Sequence, residues 1–181
     1  THAGDDEEDG ASHSLVRWQS LVVLTISYTR CIDVGLAHSS GCKILTLLAL
    51  SGTKPTDTSL VHFTDCKQLG ILNLSNTQIG DEGVNHFKDC KKLKHLDLDG
   101  SLAGDVELAY FKDCKELTFL NLKNTKVSDQ GLAPIMEFKN LTSLTLFKTP
   151  VTQAGIDALQ KAVPTVQLAL GGGVSEPHKT T

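Results

Sequence analysis

CKQLGILNLSNTQIGDEGVNHFKD, residues 66–89, holds two hydrophobic periods in succession. Leu69, Leu72 and Leu74 give L-x-x-L-x-L, and Leu72 and Leu74 flank polar Asn73. That alternation is the mark of a short strand with one buried face. Val84 and Phe87, three residues apart, fall on one side of a helix. Between the two periods stand Thr77, Ile79, Asp81 and Gly83. An Asp at this place is expected to cap its own helix, its carboxylate accepting an orphan amide at the positive helix end. The unit reads strand, turn, short helix, turn.

Outward from this stretch the pattern recurs every 24 residues with no insertion. Units run 18–41, 42–65, 66–89, 90–113, 114–137 and 138–161, and a truncated seventh, AVPTVQLAL, closes at 170. One such unit cannot bury its apolar face, so a fixed period of this size means a stack. Some units depart from the pattern. Pro55 stands where Val or Ile recurs, Ser59 and Glu107 stand for Gly, and Ala103 is small. Ser39 replaces the Phe of Phe63, Phe87 and Phe111. The units that carry these departures are expected to pack less tightly, as is unit five, where Pro134 should make the helix kink or start late.

The pattern C-K-x-L-x-x-L-x-L-x-x-T-x-[IV]-x-D-x-G-[LV]-x-x-F stands almost complete in Cys66–Phe87 and Cys114–Leu132. It resembles the leucine-rich repeat family, in its ribonuclease-inhibitor-like or cysteine-containing class. The resemblance covers about residues 18–170. It implies an α/β solenoid, a right-handed superhelix with a parallel concave sheet and convex helices, and a role in binding other macromolecules, usually proteins.

Composition and termini bound the rest. Apolar residues are 40% of the chain and aromatics 5%, so a core exists and is mostly aliphatic. The net charge is −4, and the run Asp5–Asp9 holds five of the acidic charges. The remaining body is close to neutral, which argues against nucleic acid as a partner. The apolar stretch Leu21–Ile26 is too short for a membrane span, and no membrane partner is expected. Residues 1–14 read as a disordered acidic tail, 15–170 as the repeat domain and 171–181 as a flexible tail. The chain begins at Thr1 with no initiator Met, as a fragment or a processed chain would. Five cysteines, an odd number expected to be reduced, favour the cytoplasm without identifying the compartment.

A residue repeated at this period forms a column, and columns imitate sites. Cys42, Cys66, Cys90 and Cys114 read as small buried thiols, because a straight column cannot converge four ligands on one metal. Cys31 falls in another column, as a small hydrophobe. Asp33, Asp57, Asp81, Asp105 and Asp129 read as caps and not as a calcium site. His38, His62 and His86 read as a half-exposed helix surface. Lys43, Lys67, Lys91, Lys115 and Lys139 run beside Asp65, Asp89 and Asp113 as a solvated, mutually screened face. Thr29, Thr53, Thr77, Ser101, Thr125 and Thr149 are expected to bond backbone from unit to unit. No nucleophile elbow, phosphate loop or HExxH motif occurs, and neither metal nor cofactor is expected.

The positions between the inward leucines face the concave side. Their first column is Val23, Leu47, Ile71, His95, Phe119 and Ser143. The second is Thr25, Ala49, Asn73, Asp97, Asn121 and Thr145, and the third Ser27, Ser51, Ser75, Asp99, Lys123 and Phe147. These columns vary where the others repeat, which makes them the candidate partner surface. Val23, Leu47 and Ile71 form an apolar patch. Asn73, His95, Asp97, Asp99, Asn121 and Lys123 form a polar cluster flanked by Phe119 and Phe147. An apolar anchor beside charge suits a protein interface. The expected function is a non-enzymatic protein-interaction scaffold with no catalytic residues. One alternative is the substrate-recognition module of a larger enzyme or signalling protein, such as a ligase. Another is a hydrolase or carbohydrate binder using His95, Asp97 and Asp99. Open strand edges allow either a monomer or weak end-to-end self-association. Leu15, Val16 and Trp18 are expected to cap the first edge, while the last edge, after Val163, Val166, Leu168 and Leu170, should stay open.

Overall fold

The computed structural model describes residues 20–29, 33–171 and 174–175. Seven strands pair in parallel and in chain order: β1 Val23–Thr25, β2 Leu47–Ala49, β3 Ile71–Asn73, β4 His95–Asp97, β5 Phe119–Asn121, β6 Ser143–Thr145 and β7 Gln167–Ala169. The register advances by one unit at each step, so Leu24, Leu48, Leu72, Leu96, Leu120, Leu144 and Leu168 stand in one row. All six segments expected to hold a parallel strand do so. One expectation fails at the end of the sheet. β8, Val174–Ser175, returns antiparallel onto β7, so the last parallel strand does not end as an open edge. The expected N-terminal tail, the cap of Leu15, Val16 and Trp18, and Cys31 lie outside the described residues.

The core sits between sheet and helices. From the sheet come Leu48, Leu72, Leu96, Leu120 and Leu144, and from the helix side Phe63, Phe87, Phe111 and Ile135, all with essentially no exposure. Truncating any of these leucines to Ala costs about 2–5 kcal/mol. The helices are short: Asp33–Ala37, Asp81–Asn85, Asp105–Tyr110, Leu132–Ile135 and Gln153–Ala162, with 3-10 turns at Asp57–Phe63 and Asp129–Gly131. In unit five the α-helix starts at Leu132, three residues later than Asp129, as Pro134 required. No described helix is long and apolar enough to cross a membrane.

The turn after each strand needs left-handed backbone. Tyr28, Gly52, Asn76, Gly100, Asn124 and Lys148 share one column and all have φ between 53° and 66°. Gly and Asn adopt this region readily, whereas Tyr28 and Lys148 adopt it at some cost.

The Asp column does something other than expected. Asp33, Asp57, Asp105 and Asp129 each bond to the next unit and not to their own helix. Asp33 accepts from the Thr56 amide and hydroxyl, both at 3.0 Å. Asp57 accepts from the Gly80 amide at 3.1 Å. Asp105 accepts from the Ser128 amide and hydroxyl at 2.8 and 2.6 Å, and Asp129 from those of Thr152 at 2.8 and 2.6 Å. Each is the first residue of its helical segment; the residue before the next segment receives its carboxylate. The Gly of D-x-G completes the joint. A Cβ at Gly83, Gly131 or Gly155 would collide with Oδ1 of Asp57, Asp105 or Asp129 from the preceding unit. Amide and hydroxyl donors from Thr56 hold the Asp33 carboxyl below its ordinary value, and the Thr152 hydroxyl and amide do so for Asp129. These groups stabilise the stack above the usual carboxylate range and lose that contribution as pH falls through the lowered values.

The hydroxyl column also differs from expectation. Thr77, Ser101, Thr125 and Thr149 donate to the carbonyls of Leu74, Leu98, Leu122 and Leu146 at 2.6–2.7 Å, inside their own unit. Thr53 donates likewise to Leu50. They brace the turn and do not link units. The cysteines do link them: the thiols of Cys66, Cys90 and Cys114 donate to the carbonyls of Cys42, Cys66 and Cys90 at 3.1–3.4 Å. All four are buried, and burial above all pushes the Cys66, Cys90 and Cys114 thiols up to about 12. His62 and His86 are half-buried on the helix side, with Nδ1 at 2.6 Å from the Ser40 hydroxyl and 3.1 Å from that of Thr64.

Two measurements follow. Alkylation at pH 8 and peptide mass spectrometry should find Cys66, Cys90 and Cys114 unmodified in the native protein and modified in guanidinium. Gly131→Ala should destabilise by about 1–3 kcal/mol in denaturant melts. Gly35, at the same motif position in unit one, has no described atom within 4 Å of a built Cβ. Gly35→Ala should therefore be neutral or stabilising by up to about 1 kcal/mol.

Candidate functional site on the concave sheet

Strand pairing turns the three sequence columns into three rows across the sheet. Val23, Leu47, Ile71, His95, Phe119 and Ser143 are consecutive Cα partners. Val23 is 50% exposed and Ile71 38%, while Leu47 is half-buried between them. Val22 and Ile44 lie exposed at the same end. The row then changes character. The His95 imidazole stacks on the Phe119 ring, centroids 4.0 Å apart and planes 7° from parallel. Burial lowers the His95 pKa from its ordinary value, and the Asp97 carboxylate partly opposes that. The stack presents a half-buried, flat aromatic surface next to the apolar stripe.

The second row is partly explained by the scaffold, contrary to expectation. Asn73, Asp97 and Asn121 each accept, through Oδ1, from the backbone amide two residues on, that of Ser75, Asp99 and Lys123, at 2.9–3.2 Å. These Asx turns close the ends of β3, β4 and β5 and account for short polar acceptors there. Asp97 carries more than the turn needs. Burial, helped by the neighbouring Asp99 charge, raises its pKa, while the Asp99 amide opposes the rise.

In the third row Lys123 Nζ lies 3.2 Å from Asp99 Oδ2, half-buried, and Asn124 Nδ2 donates to Asp99 Oδ1 at 2.9 Å. Asn124 was not foreseen as part of this cluster. Its signal was its place in the left-handed column, which swings its side chain back over the sheet end. Phe147 is half-buried; its ring covers Gly171 of the next turn, and Lys148 Nζ sits 5.4 Å from the ring centroid. Phe147 is thus occupied by the scaffold and stands apart from the His95–Phe119 stack. Among the described residues no group of three or more His, Cys, Asp or Glu is arranged to hold a metal ion.

The model of the Leucine Rich repeat family matches residues 66–85. No curated protein matches the sequence. Among solved structures the chain is similar to an internalin from Listeria monocytogenes, at 17% identity and TM-score 0.62, over 86% of this chain and 48% of that one. It is similar to a leucine-rich-repeat protein of Leptospira interrogans, at 22% identity and TM-score 0.70, over 84% of this chain and 38% of the other. Internalin C2 from Listeria monocytogenes is similar at 18% identity and TM-score 0.64, over 85% and 72%. The chain thus spans about half or less of the first two structures.

The His95 environment is directly measurable. In an NMR titration its imidazole should change charge below pH 6.5. Phe119→Ala, which opens the ring to water, should move that midpoint up. Asp97→Asn, which removes a charge favouring imidazolium, should move it down.

Proposed function

We propose that this leucine-rich-repeat solenoid is a non-enzymatic scaffold that binds a protein partner on its concave sheet. The carrying observation is the row from Val23 to Phe119. Its apolar stripe and stacked His95–Phe119 pair are exposed or half-buried, and no turn, joint or core contact of the scaffold calls for them. An apolar and aromatic centre with a rim of Asp97, Asp99 and Lys123 has the make-up of a recognition surface. The open sheet also lacks the enclosure that catalysis by His95, Asp97 and Asp99 would need to exclude water. The cysteine-led repeat supports the ribonuclease-inhibitor-like class.

The test is capture of a partner by the wild type, followed by affinity measurements with single variants. Ile71→Asp and Phe119→Ala should each weaken binding by about tenfold or more. Lys139→Ala, in the exposed basic column away from the sheet, should leave affinity unchanged. Loss with Lys139→Ala and retention with the two concave variants would place the partner on another face.

A further inference from the structure

Three strands end in the same turn. Asn73, Asp97 and Asn121 each accept, through Oδ1, from the amide two residues on. An asparagine oxygen closes that turn as a carboxylate does, and closes it without charge. Asp97 therefore brings to the middle of the concave sheet a negative charge for which the turn has no use. Its carboxyl is half-buried, and burial, then the Asp99 charge, hold it above its ordinary value. Among the described residues no Lys, Arg or His forms an ion pair with it. Lys123, at the end of β5, is paired with Asp99 instead, at 3.2 Å.

Two residues before Asp97, on the same face of β4, stands His95. Its ring and that of Phe119 come from paired places on adjacent strands, 4.0 Å apart and 7° from parallel, so the stack runs across the strands. One free face of the stack turns toward Ile71 and the other toward Ser143. Burial holds His95 below its ordinary value, so at neutral pH the imidazole is mostly uncharged and does not repel a cation. A planar cation uses both features at once: the ring faces attract it and the carboxylate matches its charge. A guanidinium is planar, weakly hydrated and stacks on aromatic faces, whereas an ammonium is a compact, strongly hydrated point charge.

We infer that the middle of the concave sheet seats an Arg side chain of the protein partner, its guanidinium stacked on the His95–Phe119 pair and its charge matched by Asp97. Apolar residues beside that Arg lie on the stripe of Ile71, Leu47 and Val23. The inference rests on the concave sheet being the partner surface, and adds what the partner carries there: an exposed Arg with apolar neighbours.

The probes are N-acetyl-arginine amide, N-acetyl-lysine amide and N-acetyl-citrulline amide, the last with the shape of arginine and no charge. Each is titrated into labelled protein and followed by NMR. The arginine probe should shift the His95 and Phe119 ring signals and the Asp97 carboxyl signal along one saturating curve. It should bind about tenfold more tightly than the citrulline probe, the worth of a hydrogen bond to a charged group. Asp97→Asn keeps the turn, as Asn73 and Asn121 do, and should erase that preference. Equal affinity for arginine and citrulline, a preference unchanged in Asp97→Asn, or shifts confined to other acidic residues would each overturn the seat. Lysine binding as tightly as arginine would overturn the stacking. A captured partner separates this inference from the reading beneath it. One weakened by Ile71→Asp but bound equally by Asp97→Asn overturns the seat alone; one indifferent to both Ile71→Asp and Phe119→Ala overturns both.

Discussion

A strand of three residues cannot hold itself together in water; its backbone groups find partners only in the strand before and the strand after. Every unit here depends on that pairing. Because side chains alternate between the two faces, a slip of one residue would turn the inward leucines out and the concave residues in. Pairing of Leu24 with Leu48, and so on to Leu168, is therefore possible only if the units keep one length. The constant spacing, the row of buried leucines and the continuous rows of the concave face all follow from it.

The sheet alone would leave the other side of the solenoid unregistered. Two further ladders tie it. Thiol-to-carbonyl contacts of Cys66, Cys90 and Cys114 run through the core where the chain returns to the strand. Carboxylates of Asp33, Asp57, Asp105 and Asp129 grip the start of the next helical segment. The hydroxyl column works inside each unit and sets the turn. Glu107 is the exception, accepting from the Gly104 amide inside its own unit. Glu107, Ala103 and Leu108 are all buried.

The concave rows divide by the same reasoning. Asn73, Asp97 and Asn121 close strand ends, and Phe147 covers Gly171. Val23, Leu47, Ile71, His95 and Phe119 do none of this. Their apolar surface stays partly in water although the fold has no use for it there. That cost is what marks them out, more than their variation along the column.

The sequence by itself determined the repeat length, the strand positions, the parallel order and the buried leucines and cysteines, because periodicity in hydrophobic residues is imposed by burial and survives in one dimension. It also showed the late helix start before Pro134, since a proline ring excludes the backbone behind it. Which unit each side chain serves was decided only in three dimensions. Asp129 and Thr149 look alike as turn residues, yet one bonds across units and the other within its own, because the direction of a side chain out of a turn depends on backbone angles that spacing does not carry. The same holds for the stack of His95 on Phe119 and the return of β8 onto β7. Each joins residues whose contact exists only once neighbouring units, or the returning tail, are packed together.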